Sequence, residues 1–142
     1  VDDWRQKLAS RGITNVTLTG FVSQQELPLY QAACDILLMP YERVITGSSG
    51  GNSADFCSPM KLFDYLASGR AILSSDLPVL HEVLNERNAV FCEPENLAEW
   101  QLGLWRLVND ESLRRTLGEQ AAEDAARYTW HERASRALDG LL

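Results

Sequence analysis

Long apolar runs are missing from this sequence: nowhere does it approach the roughly 18 to 20 consecutive apolar residues that a membrane-spanning helix needs. The opening residues Val1-Asp2-Asp3-Trp4-Arg5 lack the basic and apolar stretches of a signal peptide. The expected location is cytoplasmic, with membrane contact only through a longer polypeptide, if at all. Basic residues are also in deficit, 13 against 20 acidic ones, for a formal net charge of −7. That excludes a surface built for nucleic acid or anionic lipid, both of which rely on clustered Lys and Arg. An anionic ligand has to be held locally. Cysteine is scarce and unpatterned: Cys34, Cys57 and Cys92 are odd in number and widely spaced, with no CxxC pair. They read as reduced thiols, not as a disulfide framework or a zinc site, so no metal is expected.

What is present suits a folded domain. A hydrophobic share of 45% and a charged share of 23% in 142 residues are ordinary for one domain, 1–142, with a single core. A first residue other than Met fits an excised piece of something longer.

Hydrophobic periodicity orders the chain. Asp2 to Ser10 reads as a helix closed by Gly12, and Val16 to Phe21 as a strand. Ser23-Gln24-Gln25-Glu26 is a capping box opening a helix with Leu27, Tyr30, Ala33 and Cys34 on one face. The run from Asp35 to Met39, stopped by Pro40, has the pattern of a strand covered on both faces. Ala71 to Ser74 and Ala89 to Cys92 read as further strands, with a short helix predicted over Leu77 to Leu84 between them. Leu97 to Val108 and Ser112 to Tyr128 carry helical spacing, and a second capping box at Thr129-Trp130-His131-Glu132 opens a last helix. The tryptophans at 4, 100, 105 and 130 lie beside leucines at helical spacing and read as packing residues, and His81 and His131 as structural or exposed. Glu93-Pro94-Glu95 reads as a solvated turn. Short strands alternating with helices imply an α/β fold, a Rossmann-like parallel sheet with helices on both faces.

The most informative stretch is Ser58 to Gly69. Ser58 is placed to cap a helix, Pro59 suits its first position, and Gly69 suits a left-handed close. The helix N-terminus favours an anion, Lys61 adds a charge in the first turn, and Asp64 follows one turn later. The glycine- and serine-rich segment from Thr46 to Asp55 reads as a mobile loop joining a strand end to this helix, and ligands of such sheets collect at strand carboxyl ends.

Four segments also resemble a known family. Asn15 to Val22 resembles the family's "NV-F-G-V", and Leu29 to Pro40 its "LY-AADI-L-P" segment. Ser58 to Leu73 resembles "SPLKLFEYMASGKPIV", and Tyr128-Thr129-Trp130 is similar to "FSW". In this order they resemble the C-terminal, donor-binding domain of retaining glycosyltransferases of the GT-B fold, family 4 type, also called glycosyl transferases group 1.

The resemblance implies a nucleotide-sugar-binding domain, the C-terminal half of a GT-B fold. The full-length protein would transfer a hexose from a UDP- or GDP-sugar to a saccharide or lipid-linked acceptor without a cofactor. The second glutamate of the family's Glu-x7-Glu pair, which takes the ribose hydroxyls, falls on Asp64. The helix start that takes the diphosphate falls on Ser58, Met60 and Lys61. The first glutamate, which touches the donor sugar, falls on Phe56, which cannot make that contact; Asp55 beside it offers a carboxylate, and Glu82 helps to frame the crevice. The family's acceptor-binding N-terminal domain and the Arg- and Lys-bearing loop for the diphosphate are expected in the same full-length polypeptide, and the isolated chain is expected to be inactive. A nucleotide-sugar epimerase domain of the same fold, or a non-catalytic Rossmann-like interaction domain, are the alternative readings.

Overall fold

A computed structural model describes residues 1–44 and 60–139. Three parallel strands, β1 (Ile36–Met39), β2 (Ala71–Ser75) and β3 (Ala89–Cys92), form a sheet in the order β1-β2-β3. Helices α1 (Asp2–Ser10) and α2 (Leu27–Ala33) precede it, α3 (Met60–Ser68) connects β1 to β2, and α4 (Leu97–Asn109), α5 (Glu111–Ala125) and α6 (Trp130–Asp139) follow β3. The register sets Leu37 beside Ile72 and Met39 beside Ser74, and Ile72 beside Ala89.

Strand side chains alternate between two cores. Met39, Ile72 and Ala89 pack with Leu62 and Leu66 of α3 and with Ala121 of α5. On the other face, Ala71, Leu73 and Cys92 pack with Leu107 of α4 and Leu117 of α5. The α/β architecture with helices on both faces is thus as expected. β2 is the central strand and all five of its residues are buried. Helix α4 sits so close to the sheet that a Cβ at Gly103 would lie 2.9 Å from both Cys92 Sγ and Leu73 Cδ1.

Capping follows the local chemistry. The Ser23 hydroxyl accepts from the Glu26 N–H at 3.3 Å and donates to the Glu26 carboxylate at 2.7 Å. Thr129 Oγ1 accepts from the Glu132 N–H at 3.2 Å. Helix α3 ends at Gly69 with φ +63°, a conformation that costs glycine nothing.

Several expectations are corrected. Val16 to Phe21 forms no strand: none of the described strands pairs with it, and Phe21 is 95% exposed. An alternating sequence becomes a strand only where a neighbour accepts its backbone hydrogen bonds. β1 is covered fully on one face and only in part on the other: Met39 is buried, and on the second face Ile36 packs against a core while Leu38 remains 43% exposed. Leu77 to Leu84 makes a single 3₁₀ turn, Leu80–Glu82, in place of a helix. Helix α5 gives way after Ala125 to a 3₁₀ turn over Ala126–Tyr128. Trp4, Trp105 and Trp130 are exposed, and Trp100 alone of the four tryptophans packs against a core. Glu93-Pro94-Glu95 is not simply solvated: Pro94 is buried and Glu93 pairs with Arg43.

Candidate functional site

The carboxyl edge of the sheet is where β1, β2 and β3 run out and where α3 begins. Three residue pairs tie this edge together. The Tyr41 N–H donates to Ser75 Oγ at 2.7 Å, and the Ser75 hydroxyl donates to the Tyr41 carbonyl, also at 2.7 Å. Ser75 is fully buried at the end of β2, so its hydroxyl fixes the chain as it leaves β1. Arg43, two residues on, forms an ion pair with Glu93 beyond β3, and the Asp76 N–H donates to the Cys92 carbonyl at 2.7 Å.

Helix α3 rises from this edge. Its apolar residues Leu62 and Leu66 are one turn apart and buried, which fixes the rotation of the helix and leaves Met60 and Asp64 exposed. The Lys61 ammonium lies over the Tyr41 ring, 4.4 Å from its centroid. Tyr65, one turn along from Lys61, is half-buried; loss of water there raises its phenol above the ordinary value and outweighs the opposing pull of Lys61.

Asp64 opens on a cavity of about 610 Å³ between α3 and α6. Met60 and Phe63 line it from α3, and Trp130, Arg133 and Arg136 from α6. Phe63 meets Tyr128 with ring centroids 5.4 Å apart and planes at 52°, closing the floor. The Arg133 guanidinium stands 5.6 Å from the Trp130 ring centroid. An exposed carboxylate, two guanidiniums and an aromatic floor suit a ligand bearing both hydroxyls and negative charge.

The structure therefore brings Met60, Lys61 and Asp64 onto one helix beside the strand exits. Ser58, Asp55 and Phe56 lie outside the described residues, as does the predicted loop from Thr46 to Asp55. Glu82 is exposed on the 3₁₀ turn after β2. Its neighbour His81 is placed more specifically than the sequence suggested: Nε2 lies 2.7 Å from Asp76 Oδ1, and the ring stacks on Phe91 with centroids 4.1 Å apart. The five-residue separation of Asp76 and His81 carries no helical or strand signal, and Phe91 reaches His81 only through the parallel register. Among the described residues no group of three or more His, Cys, Asp or Glu is arranged to hold a metal ion, and no helix is long and apolar enough to cross a membrane.

Comparison with known proteins agrees with this geometry. Residues 2–110 match the family described as Glycosyl transferases group 1. TuaH of Bacillus subtilis (strain 168), a putative teichuronic acid biosynthesis glycosyltransferase, is 38% identical over 66 residues, covering 46% of this chain and 15% of that protein. Among solved structures, sucrose-phosphate synthase of Thermosynechococcus elongatus superposes with a TM-score of 0.74 at 17% identity, over 99% of this chain and 35% of that one. Anabaena Alr3699/HepE in complex with UDP gives a TM-score of 0.74 at 16% identity, over 98% and 36%. The chain thus spans about a seventh of the curated relative, 15%, and about a third of these structures, 35% and 36%. The parallel sheet, its helices and the family match together show that the chain belongs to the group 1 glycosyl transferases, with the fold of the C-terminal half of GT-B.

Proposed function

We propose that this domain holds the nucleotide-diphosphate sugar of a retaining glycosyltransferase whose full-length form moves a hexose to a saccharide or lipid-linked acceptor in the cytoplasm. The observation that carries the reading is the placement of α3: it starts at the carboxyl edge of the parallel sheet with Lys61 in its first turn, and Asp64 opens on the adjoining cavity. The diphosphate is assigned to Met60 and Lys61 at the described start of α3, where backbone amides and the helix dipole favour negative charge, and, from the family resemblance, to Ser58 before them in the sequence. The ribose is assigned to Asp64, whose two oxygens suit vicinal hydroxyls. Glu82 and, from the family resemblance, Asp55 are assigned to the sugar end of the crevice, with Phe56 standing where the family has its sugar-binding glutamate.

This reading calls for no metal cofactor. Charge developing on the leaving diphosphate would be met by the helix N-terminus and by cations, Lys61 among them. The acceptor is assigned to an N-terminal domain of the same polypeptide, so the 142-residue chain alone is proposed to be inactive. Sustained turnover of a UDP- or GDP-sugar by the isolated chain would overturn that point.

HepE has been solved with UDP and with UDP-glucose, which places uridine nucleotides first among ligands to try. In a thermal-shift series on the full-length protein, UDP or GDP is expected to raise the melting temperature, because a ligand of the native state stabilises it by RT ln(1 + [L]/Kd). Asp64→Ala is expected to weaken that binding by about tenfold, or about 1.4 kcal/mol. Unchanged affinity would instead favour the non-catalytic interaction domain.

A further inference from the structure

Lysine is a flexible point charge, and a site that needs its ammonium in one place has to restrict four rotatable bonds. Around Lys61 the structure supplies that restriction in three steps. The ammonium lies 4.4 Å from the centroid of the Tyr41 ring, within the range where a cation is attracted to an aromatic face. The Tyr41 backbone is held on both its N–H and its carbonyl by one buried hydroxyl, Ser75 Oγ, at 2.7 Å each. The backbone of Lys61 is fixed from the other side because Leu62, its neighbour on α3, is buried in the core and sets the rotation of the helix. Tyr41 follows β1, Ser75 ends β2 and Lys61 opens α3, so the contact joins three elements across 34 residues of sequence separation.

We propose that Tyr41 and Ser75 are positioning residues for the Lys61 ammonium, holding it over the carboxyl edge of the sheet to meet the phosphates of a nucleoside diphosphate. The inference rests on the proposed function, in that it takes Lys61 as a phosphate contact. Tyr41 itself touches no phosphate; it keeps the cation in place before the ligand arrives, which reduces the ordering that binding requires.

UDP titrations of the full-length protein by calorimetry test this through a double-mutant cycle. Lys61→Met is expected to weaken UDP binding about tenfold. Tyr41→Leu is expected to weaken it about threefold, Tyr41→Phe to keep wild-type affinity because the ring remains, and Ser75→Ala to weaken it about as much as Tyr41→Leu. In the Lys61→Met background neither Tyr41→Leu nor Ser75→Ala should cause any further loss, whereas damage to the fold alone would add in both backgrounds. Additive losses, or equal losses for Tyr41→Leu and Tyr41→Phe, would overturn the positioning role while leaving the donor-site reading intact. Wild-type affinity for Lys61→Met would remove Lys61 from the phosphate site and the inference with it.

Discussion

Gly118 on α5 lies against Gly69, the residue that closes α3: a Cβ at Gly118 would stand 2.3 Å from the Gly69 carbonyl oxygen. No side chain fits that gap, and the obstructing atom is backbone. Helix α5 can therefore lie directly on the turn that sends the chain from α3 into β2. Gly118→Ala is expected to cost about 3 kcal/mol, at the upper end for overpacking, because neither backbone can move aside without disturbing the other. Urea denaturation of the chain checks it; a midpoint within error of wild type would mean the two segments separate easily.

The turn before β3 depends on a buried polar pair. Asn88 is fully buried, and its Nδ2 donates to Asp124 Oδ2 at 2.9 Å, while its Oδ1 accepts from the Asn85 N–H at 2.8 Å. The second Asp124 oxygen has no hydrogen-bond partner and lies 3.6 Å from the Arg127 guanidinium, an ion pair without a hydrogen bond. Asp124→Ala should cost about 2 kcal/mol, because it strips a buried amide of its shorter bond. Asp124→Asn retains an acceptor and should cost under about 1 kcal/mol. Equal losses in urea midpoint would show that the acceptor is not what matters.

Acid should weaken α5 at its start. The Leu113 N–H donates to the Asp110 carboxylate at 2.9 Å and the Ser112 hydroxyl donates at 2.7 Å. These bonds, the Leu113 amide first, hold the Asp110 pKa below its ordinary 3.8. A lowered folded-state value means the contribution is present above pH 3.8 and is lost as pH falls through the lowered value. Asp110→Asn should flatten this part of the stability curve below pH 3.8, measured by urea midpoints at successive pH values. An unchanged slope would assign the acid sensitivity to other carboxylates.

Much of this architecture was legible because it is local. The capping boxes at Ser23 and Thr129 and the glycine close of α3 satisfy backbone groups within a few residues, so composition and spacing reveal them. The buried strand β2 was equally plain, since the short apolar stretch Ala71-Ile72-Leu73 directly follows a helix closed by Gly69. What spacing could not show were contacts set by tertiary placement. Val16 to Phe21 has strand chemistry but no described partner strand, and Leu38 has core chemistry but stays exposed beyond Ile36, where the cover of that face ends. In the site, Lys61 and Asp64 were visible as a charge and a carboxylate at the head of a helix. Tyr41 and Ser75 were not, because 34 residues separate them and only strand register brings them together.

Two arginines sit at the far end of the sheet from α3's first turn. Arg70 donates to the Ala32 carbonyl near the end of α2, and Arg114 donates to the Leu107 and Val108 carbonyls near the end of α4. Both therefore neutralise the negative poles of helices. The chain carries a net charge of −7, so at low ionic strength, where the Debye length reaches about 30 Å and spans the domain, an approaching diphosphate meets net repulsion and feels the attraction of Lys61 only at close range. Capture of a nucleotide diphosphate should consequently speed up as salt is added from low ionic strength, because screening removes the distant repulsion before it weakens the contact.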